Sequence, residues 1–499
     1  MSDKILFFLD KEWLHFGIAK FLQEQYDCEL FTVLDLDKPS SKFINQQKLV
    51  HFTKIWDYRD FVLKSNEIPD IEYLKKFEEK HGINLWEIAY SERFFIHYNP
   101  YYKFTSDEIL LILEKECKLF ENILSEVNPD YMIIKITDSH QSHLLHQLCR
   151  IKGIKILMLG WTRFGYRCAI YDEYDKFSNS TFIESKKKRT VTELQNYLKS
   201  FHSSKAYSPW ISIKHSVFFK TQKYIQSLVL INSKDIKNFY PFYGRNIFKI
   251  MSQFIFFKKR YRKSFIDKHF LKKIEKDELF IYYPLHAEPE RALLLVAPYF
   301  IDQLELITNI AKSIPIGYKL YVKEHKVMGL FGWRNLSFYK KILDLPNVKL
   351  IHPATDVEEI LDNCSLVVGV GGATGSEAAF HGKPSIVFSD VSYSSLPSVT
   401  KIEDIEELPK IIRKNLDQKV DYSALNDYVN LVEENTFELD LVRLTLEFED
   451  FFSKEFTTVS SNISEQKMKL FLEKHSKEFE LLSLEHIKKI KEYKKTVHH

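Results

Sequence analysis

Twice along this chain, short apolar runs of strand length alternate with amphipathic stretches of helical period. The first series opens with "KILFFL" (Lys4–Leu9), a helical pattern near Glu12–Gln25 and a second run, Glu29–Leu34. After a long helical pattern at 105–127 it resumes with "DYMIIKITDSH" (Asp130–His140), the helix "QSHLLHQLCRIKG" and the run Ile154–Gly160. The second series begins at "LFIYYPLH" (Leu279–His286) and continues through helix 299–313, "YKLYVKEH" (Tyr318–His325) and helix 335–344. It ends with "VKLIHP", helix 356–363 and a strand at 365–370. Continuous apolar strands alternating with helices mark parallel sheets covered on both faces. The pattern therefore predicts an α/β protein of two Rossmann-like domains facing one cleft. We place them at 1–210 and 276–425, with a helical linker at 211–275 and C-terminal helices over 426–499. A chain of 499 residues exceeds what one core ordinarily serves, which agrees with two.

Composition narrows the class. Hydrophobic residues at 45% and charged residues at 28% describe a globular protein. No run of 18 apolar residues exists to span a membrane, and the N-terminal apolar patch is cut by Asp10, too short for a signal peptide. The five cysteines are scattered, with no CxxC or Cys/His cluster, so we expect reduced thiols, no metal and a cytoplasmic protein.

The segment between the two series is unlike either. From Lys214 to Lys273 it carries 15 Lys or Arg against two acids, Asp235 and Asp267, with aromatics interleaved as in "FIFFKKRYRKSF". Three readings fit: an anionic membrane surface, RNA, or a solvated helical linker with its aromatics packed inward. The expectation carried forward is peripheral attachment to the inner membrane face through 211–275, with no nucleic-acid partner. The last stretch, 462–494, is a Lys/Glu-rich amphipathic pattern suited to a packing helix.

In "LVVGVGGATGSEAAFHGKPSIVF" (Leu366–Phe388) a strand pattern runs into a glycine turn and then a helix. Gly371, Gly372, Ala373, Thr374, Gly375 and Ser376 are small, so backbone N–H groups there can approach a phosphate or carboxylate. Glu377, in the first helical turn, can accept two sugar hydroxyls. The spacing is neither G-x-G-x-x-G with a distant acid nor a P-loop, which speaks against a dinucleotide oxidoreductase and an NTPase. Two other strand exits deliver His286 and Glu288, and Lys323, Glu324 and His325, toward the same edge. A tight turn with a helix cap is the plain alternative for the loop.

The stretches "PLHAEPE", "YKLYVKEH", "PNVKLIHPATDVEEIL" and "GGATGSEAAFHGKPSIVF" resemble the capsule polysaccharide biosynthesis glycosyltransferases, a family that includes capsule-type Kdo transferases. The resemblance is close over about 280–400 and looser around Asp138. It implies a GT-B fold and a nucleotide-activated sugar donor, CMP-linked in the Kdo case, held mainly by the C-terminal domain. The family's Lys-Glu-His falls on Lys323, Glu324 and His325, and its small-residue loop with Gly-x-Glu-Ala on Gly372 to Ala378. Lys326 stands where the family usually has Pro, and Gly371-Gly372-Ala373 replaces a Thr/Ser-rich turn.

The function expected is transfer of a sugar to a growing surface or capsular polysaccharide or a glycolipid acceptor, with no cofactor beyond the nucleotide sugar. Lys323 and His325 would neutralise the departing phosphate. A base would come from the N-terminal half, where Asp138, His140 and Glu92 are the candidates. Inverting and retaining routes both stay open. A nucleotide-sugar 2-epimerase and a non-catalytic scaffold of a polysaccharide assembly system are the alternatives. Asp35-Leu36-Asp37 has the form of a metal-chelating D-x-D but lies too early in the chain for that role, and "YDEYD" (Tyr171–Asp175) reads as a solvated loop.

Overall fold

The computed structural model describes residues 2–97, 99–162, 164–177, 187–200, 238–254, 256–275, 277–288, 290–453 and 463–497. The 211–237 part of the expected linker lies outside the described residues. Ile5 to Leu9 of the first strand, β1 (Asp3–Asp10), are all buried, as a strand covered on both faces requires. It pairs in parallel with β2 (Cys28–Asp35), and β3 (Lys54–Asp57) follows outside β2. On the other side β1 pairs with β4 (Tyr131–Lys135), then β5 (Lys155–Trp161), again in parallel. The short strand β6 (Arg167–Tyr171) turns back antiparallel on β5. Helix Ser106–Val127, which precedes β4, starts in a capping box between Thr105 and Glu108.

The second sheet is parallel throughout. It comprises β7 (Phe280–Pro284), β8 (Lys319–Lys323), β9 (Val348–Ile351), β10 (Leu366–Gly369), β11 (Ser385–Val387) and β12 (Val399–Lys401), in the order β12-β11-β10-β7-β8-β9. Counted within each half, both sheets wind third, second, first, fourth, fifth, which is the doubly wound order. The winding reverses between β1 and β4 in one half and between β7 and β10 in the other. Those two switch points are where such sheets open a crevice at their carboxyl edge.

The carboxyl edges of the two halves face each other. Arg291, just past β7, donates to the carbonyl of Thr137, just past β4, and lies over the Tyr174 ring at 3.8 Å. Phe164, in the β5–β6 turn, packs on Phe380 and Tyr428 of the second half. Helix Tyr422–Glu434 runs through the expected boundary at 425 and seals this contact. The chain then returns to the first half, where β13 (Phe437–Glu438) pairs antiparallel with β6. Helices Leu441–Ser453, Glu465–Lys474 and Ser476–Val497 close the first sheet's core, with Phe448 stacked on Trp13 and Phe479 on Phe21. Two Rossmann-like units facing a cleft, with the terminal helices returned to the first, form the GT-B arrangement. No helix among the described residues is long and apolar enough to cross a membrane.

Candidate functional site

At the second switch point the glycine turn is packed from below. A Cβ on Gly371 would stand 2.0 Å from Ser389 Oγ, and one on Gly375 would stand 2.7 Å from the Tyr393 hydroxyl. Neither neighbour has room to yield, since Ser389 Oγ donates to the Val370 carbonyl and Tyr393 OH to the Gly372 carbonyl. These two glycines are therefore required by packing. Ser376 is spent locally as well, donating to the Ala373 carbonyl at 2.7 Å. The accessible part of the turn is Gly372, Ala373 and Thr374, and the helix after it, Thr374–Phe380, buries Glu377 in its first turn.

His286 leaves β7 directly against this turn. Its Cε1 would lie 3.1 Å from a Cβ on Gly372, so the imidazole crosses the crevice between β7 and β10. Nδ1 faces Glu290 at 3.5 Å, and Nε2 is buried with no hydrogen-bond partner. The backbone beneath is clamped: Gln303 Oε1 accepts from His286 N at 2.7 Å, while Gln303 and Arg334 both donate to the His286 carbonyl. A buried polar atom left without a partner costs roughly 1–3 kcal/mol, and a ligand is one way to satisfy it.

Two of the expected donor contacts are corrected by this clamp. Glu324 is 0% exposed and accepts from Arg334 Nε at 3.0 Å, Tyr339 OH at 2.6 Å and the His325 amide at 2.6 Å. It holds scaffold, because the side chain leaves β8 on the face covered by helix Leu336–Leu343. Glu288 likewise pairs with Arg334 and accepts from Gln303 Nε2 at 2.5 Å. Lys323 is buried too, donating to the Pro353 carbonyl at 3.2 Å, and desolvation lowers its ammonium to about 8. Of the three residues expected here, His325 alone is exposed, its Nδ1 accepting from the Val327 amide at 3.3 Å. That leaves Nε2–H as an outward donor.

The first switch point carries a charge cluster that sequence reasoning missed. Lys135 Nζ, at the end of β4, lies 2.5 Å from Asp10 Oδ2, 3.0 Å from Glu12 Oε1 and 3.1 Å from Asp138 Oδ2. Burial alone would lower the Lys135 ammonium, but the carboxylates of Asp10, Asp138 and Glu12 outweigh it and hold it well above its ordinary value. One ammonium thus serves three carboxylates. Glu12, its side chain 40% exposed, is held above the usual carboxylate range by burial and the Asp10 charge, against the pull of Lys135. The next residue, Trp13, has φ +60°, a strained conformation for a bulky side chain, locked by Phe16, Phe43 and Phe448. Gln141 spans the end of β1 to donate to Asp35 Oδ2 at 3.0 Å, and its own Oε1 is buried without a partner. The sequence signal existed: "ILFFLD" and "YMIIK" are buried runs that each end in a charge.

Of the three expected bases, Asp138 stays at this edge, half exposed. His140 and Glu92 do not. His140 is 0% exposed, with Nδ1 2.5 Å from Glu92 Oε2 and Nε2 2.8 Å from Glu116 Oε1. Two carboxylate partners require both ring N–H groups, so the ring is an imidazolium. Burial opposes that charge, yet Glu116 and Glu92 outweigh it and raise the ring to about 10. A closed-in cation cannot take a proton from a substrate, and both residues are corrected to structural roles. The D-x-D is also structural: Asp35 pairs with Arg59 at 2.9 Å and Asp37 caps helix Lys38–Gln46. Among the described residues no three His, Cys, Asp or Glu side chains stand together so as to hold a metal ion.

No protein-family model matches the sequence, and no curated protein matches it. Solved structures that superpose on the chain include S. aureus MnaA in a co-structure with UDP, at 11% identity over 91% of this chain and 97% of that one, TM-score 0.26. A UDP-GlcNAc 2-epimerase from Neisseria meningitidis bound to UDP-GlcNAc covers 87% and 99% of the two chains at 12% identity, TM-score 0.26. A β-Kdo 2,7-transferase, KpsC of Thermosulfurimonas dismutans, covers 67% and 89% at 10% identity, TM-score 0.30.

Proposed function

We propose that this chain is a GT-B glycosyltransferase that moves a sugar from a nucleotide-activated donor to a surface or capsular polysaccharide or a glycolipid. The observation that carries the reading is the His286 imidazole, set against Gly372 across the second switch point with Nε2 unpartnered. That crevice is where doubly wound sheets hold nucleotides. The resemblance over about 280–400 supplies the donor class, with CMP-linked sugars first in line. His286, His325 and the amides of Gly372 to Thr374 would receive the donor's phosphate, or the diphosphate of a UDP- or GDP-sugar, with Glu377 toward the nucleoside. Across the cleft, Glu12 or Asp138 accepts the acceptor hydroxyl's proton as its oxygen bonds to the anomeric carbon. The bond from that carbon to the phosphate oxygen breaks, and its electron pair leaves on the phosphate.

Titration with CMP-, UDP- and GDP-sugars tests the donor half. Replacing His325 by Ala removes one hydrogen bond to a charged group, worth about 1.5–3 kcal/mol, which is roughly a ten- to hundredfold loss of affinity. Glu377→Ala should weaken binding of the nucleoside, with the melting temperature measured alongside because the side chain is buried. Unchanged affinity in both variants sinks the donor assignment.

Glu12→Gln tests the other half. It should leave donor affinity as it was and slow nucleotide release roughly a hundredfold, the scale of one general base. A wild-type release rate in that variant removes Glu12 and leaves Asp138.

The cluster around Lys135 also favours a second reading, a nucleotide-sugar 2-epimerase, because a carboxylate of raised pKa can take a carbon-bound proton as well. Conversion of a nucleotide sugar without any acceptor decides for it.

A further inference from the structure

We propose that the surface around Ile247 and Phe248 docks the protein onto an anionic lipid bilayer. Helix Ile247–Phe254 is anchored to the first half, since Ile250 is buried and Lys249 Nζ donates to the Tyr101 carbonyl at 2.7 Å. Arg245, just before it, lies over the rings of Tyr101 and Phe242. This anchoring turns the two residues at the helix start outward: Phe248 is 80% exposed and Ile247 46%. Large apolar side chains held rigidly in water at consecutive positions mark a surface that something apolar covers.

Charge identifies the cover. The stretch from Lys214 to Lys273 holds 15 of the chain's 71 Lys and Arg and two of its 68 acids, so the rest of the chain is net negative. In the following helix, Phe256–His269, Tyr261 is 65% exposed and Lys263 and Lys268 are exposed. Asp267, one of the two acids, is paired with His352 at 3.0 Å. Exposed apolar side chains within a stretch of such net positive charge suit the boundary of anionic headgroups and acyl chains. Ile247 beside Phe248 adds an aliphatic side chain, which an acyl boundary takes up and a stacked base does not. The inference is independent of which sugar or nucleotide the cleft takes.

Flotation with vesicles tests it, using phosphatidylglycerol-containing and pure phosphatidylcholine vesicles at low and high salt. The full chain should float with the anionic vesicles at low salt and be released by high salt. Phe248→Ser should weaken partitioning roughly tenfold or more, the effect of withholding one buried aromatic. Lys263→Gln with Lys268→Gln should weaken it roughly fivefold per cation removed. All three positions are exposed, so the variants should keep the wild-type melting temperature, which is measured alongside. Three results overturn the proposal: no flotation with anionic vesicles at low salt, equal partitioning of Phe248→Ser, or displacement from the vesicles by oligouridylate.

Discussion

Replacing His140 by Gln is expected to destabilise the fold by about 3–5 kcal/mol, because it leaves two buried carboxylates without their cation. Glu92 and Glu116 would then face each other in a core sealed by Phe95, Tyr58 and Tyr240. The wild-type pH dependence carries a signature of the same network. The folded ring titrates at about 10, above the 6.5 of an unfolded histidine, so the folded state holds the extra proton between those values. The stability it contributes is complete below pH 6.5 and is lost as the pH rises through 10. Glu92 works in the opposite sense: its pKa is lowered by His140 despite burial, so its share is present above the ordinary carboxylate range and lost in acid. Urea titrations between pH 6 and 10 should show wild-type stability falling by up to about 1.4 kcal/mol per pH unit and the Gln variant flat over that window. The variant's deficit should shrink in acid, where one of the two carboxylates left behind takes up a proton. A variant within 1 kcal/mol of wild type at neutral pH would show that the ring is not charged.

The two series of strands were legible because each central strand is apolar on both faces and alternates with helical patterns, a combination that a covered parallel sheet accommodates. Arg167–Tyr171 was not legible as a strand. It is short, it runs into the acidic loop 172–175, and it is fixed by pairing with β5 and with two residues almost 270 positions away. The glycine turn was placed correctly at a strand exit, but the pattern could not say which glycines face a ligand. Gly371 and Gly375 are required by Ser389 and Tyr393, contacts made by residues well downstream.

The same limit explains the mixed outcome at the strand ends. A sequence tells which residues leave a sheet at its carboxyl edge, and not which way each side chain turns there. Lys323, Glu324 and His325 leave β8 in succession, and only His325 turns to solvent. His140 and Asp138 are two residues apart, yet one enters the core of the helix layer and the other stays at the edge. The partners that decide these directions, Arg334, Gln303 and Glu116, lie far along the chain from the residues they hold or carry no sign of that pairing in their own helical pattern. Arg334 comes from "FGWRN", which has neither strand nor helix period.

Arg334 is therefore the position where one substitution should reach furthest. Its guanidinium joins Glu324 and Glu288, donates to the His286 carbonyl and lies 5.0 Å from the Phe338 ring centroid. Arg334→Met keeps much of the volume and removes the charge. Glu324, wholly buried, would be left with Tyr339 and one backbone amide, and a charge stranded in that way costs about 3–5 kcal/mol. Burial already raises the Glu324 carboxyl in the wild type although Arg334 opposes it. Without Arg334 the rise is larger, so the folded variant binds a proton that its unfolded chain releases, and its deficit narrows as the pH falls. Adding Glu324→Gln should restore a large part of the loss, since removing both members of a buried pair is far milder than removing one. A double-mutant cycle by chemical denaturation should give a coupling of roughly 1–3 kcal/mol. Nucleotide titration on the double variant then separates scaffold from site. If stability returns while affinity stays low, Arg334 acts by holding His286 at the crevice; if both return, the clamp serves the fold alone.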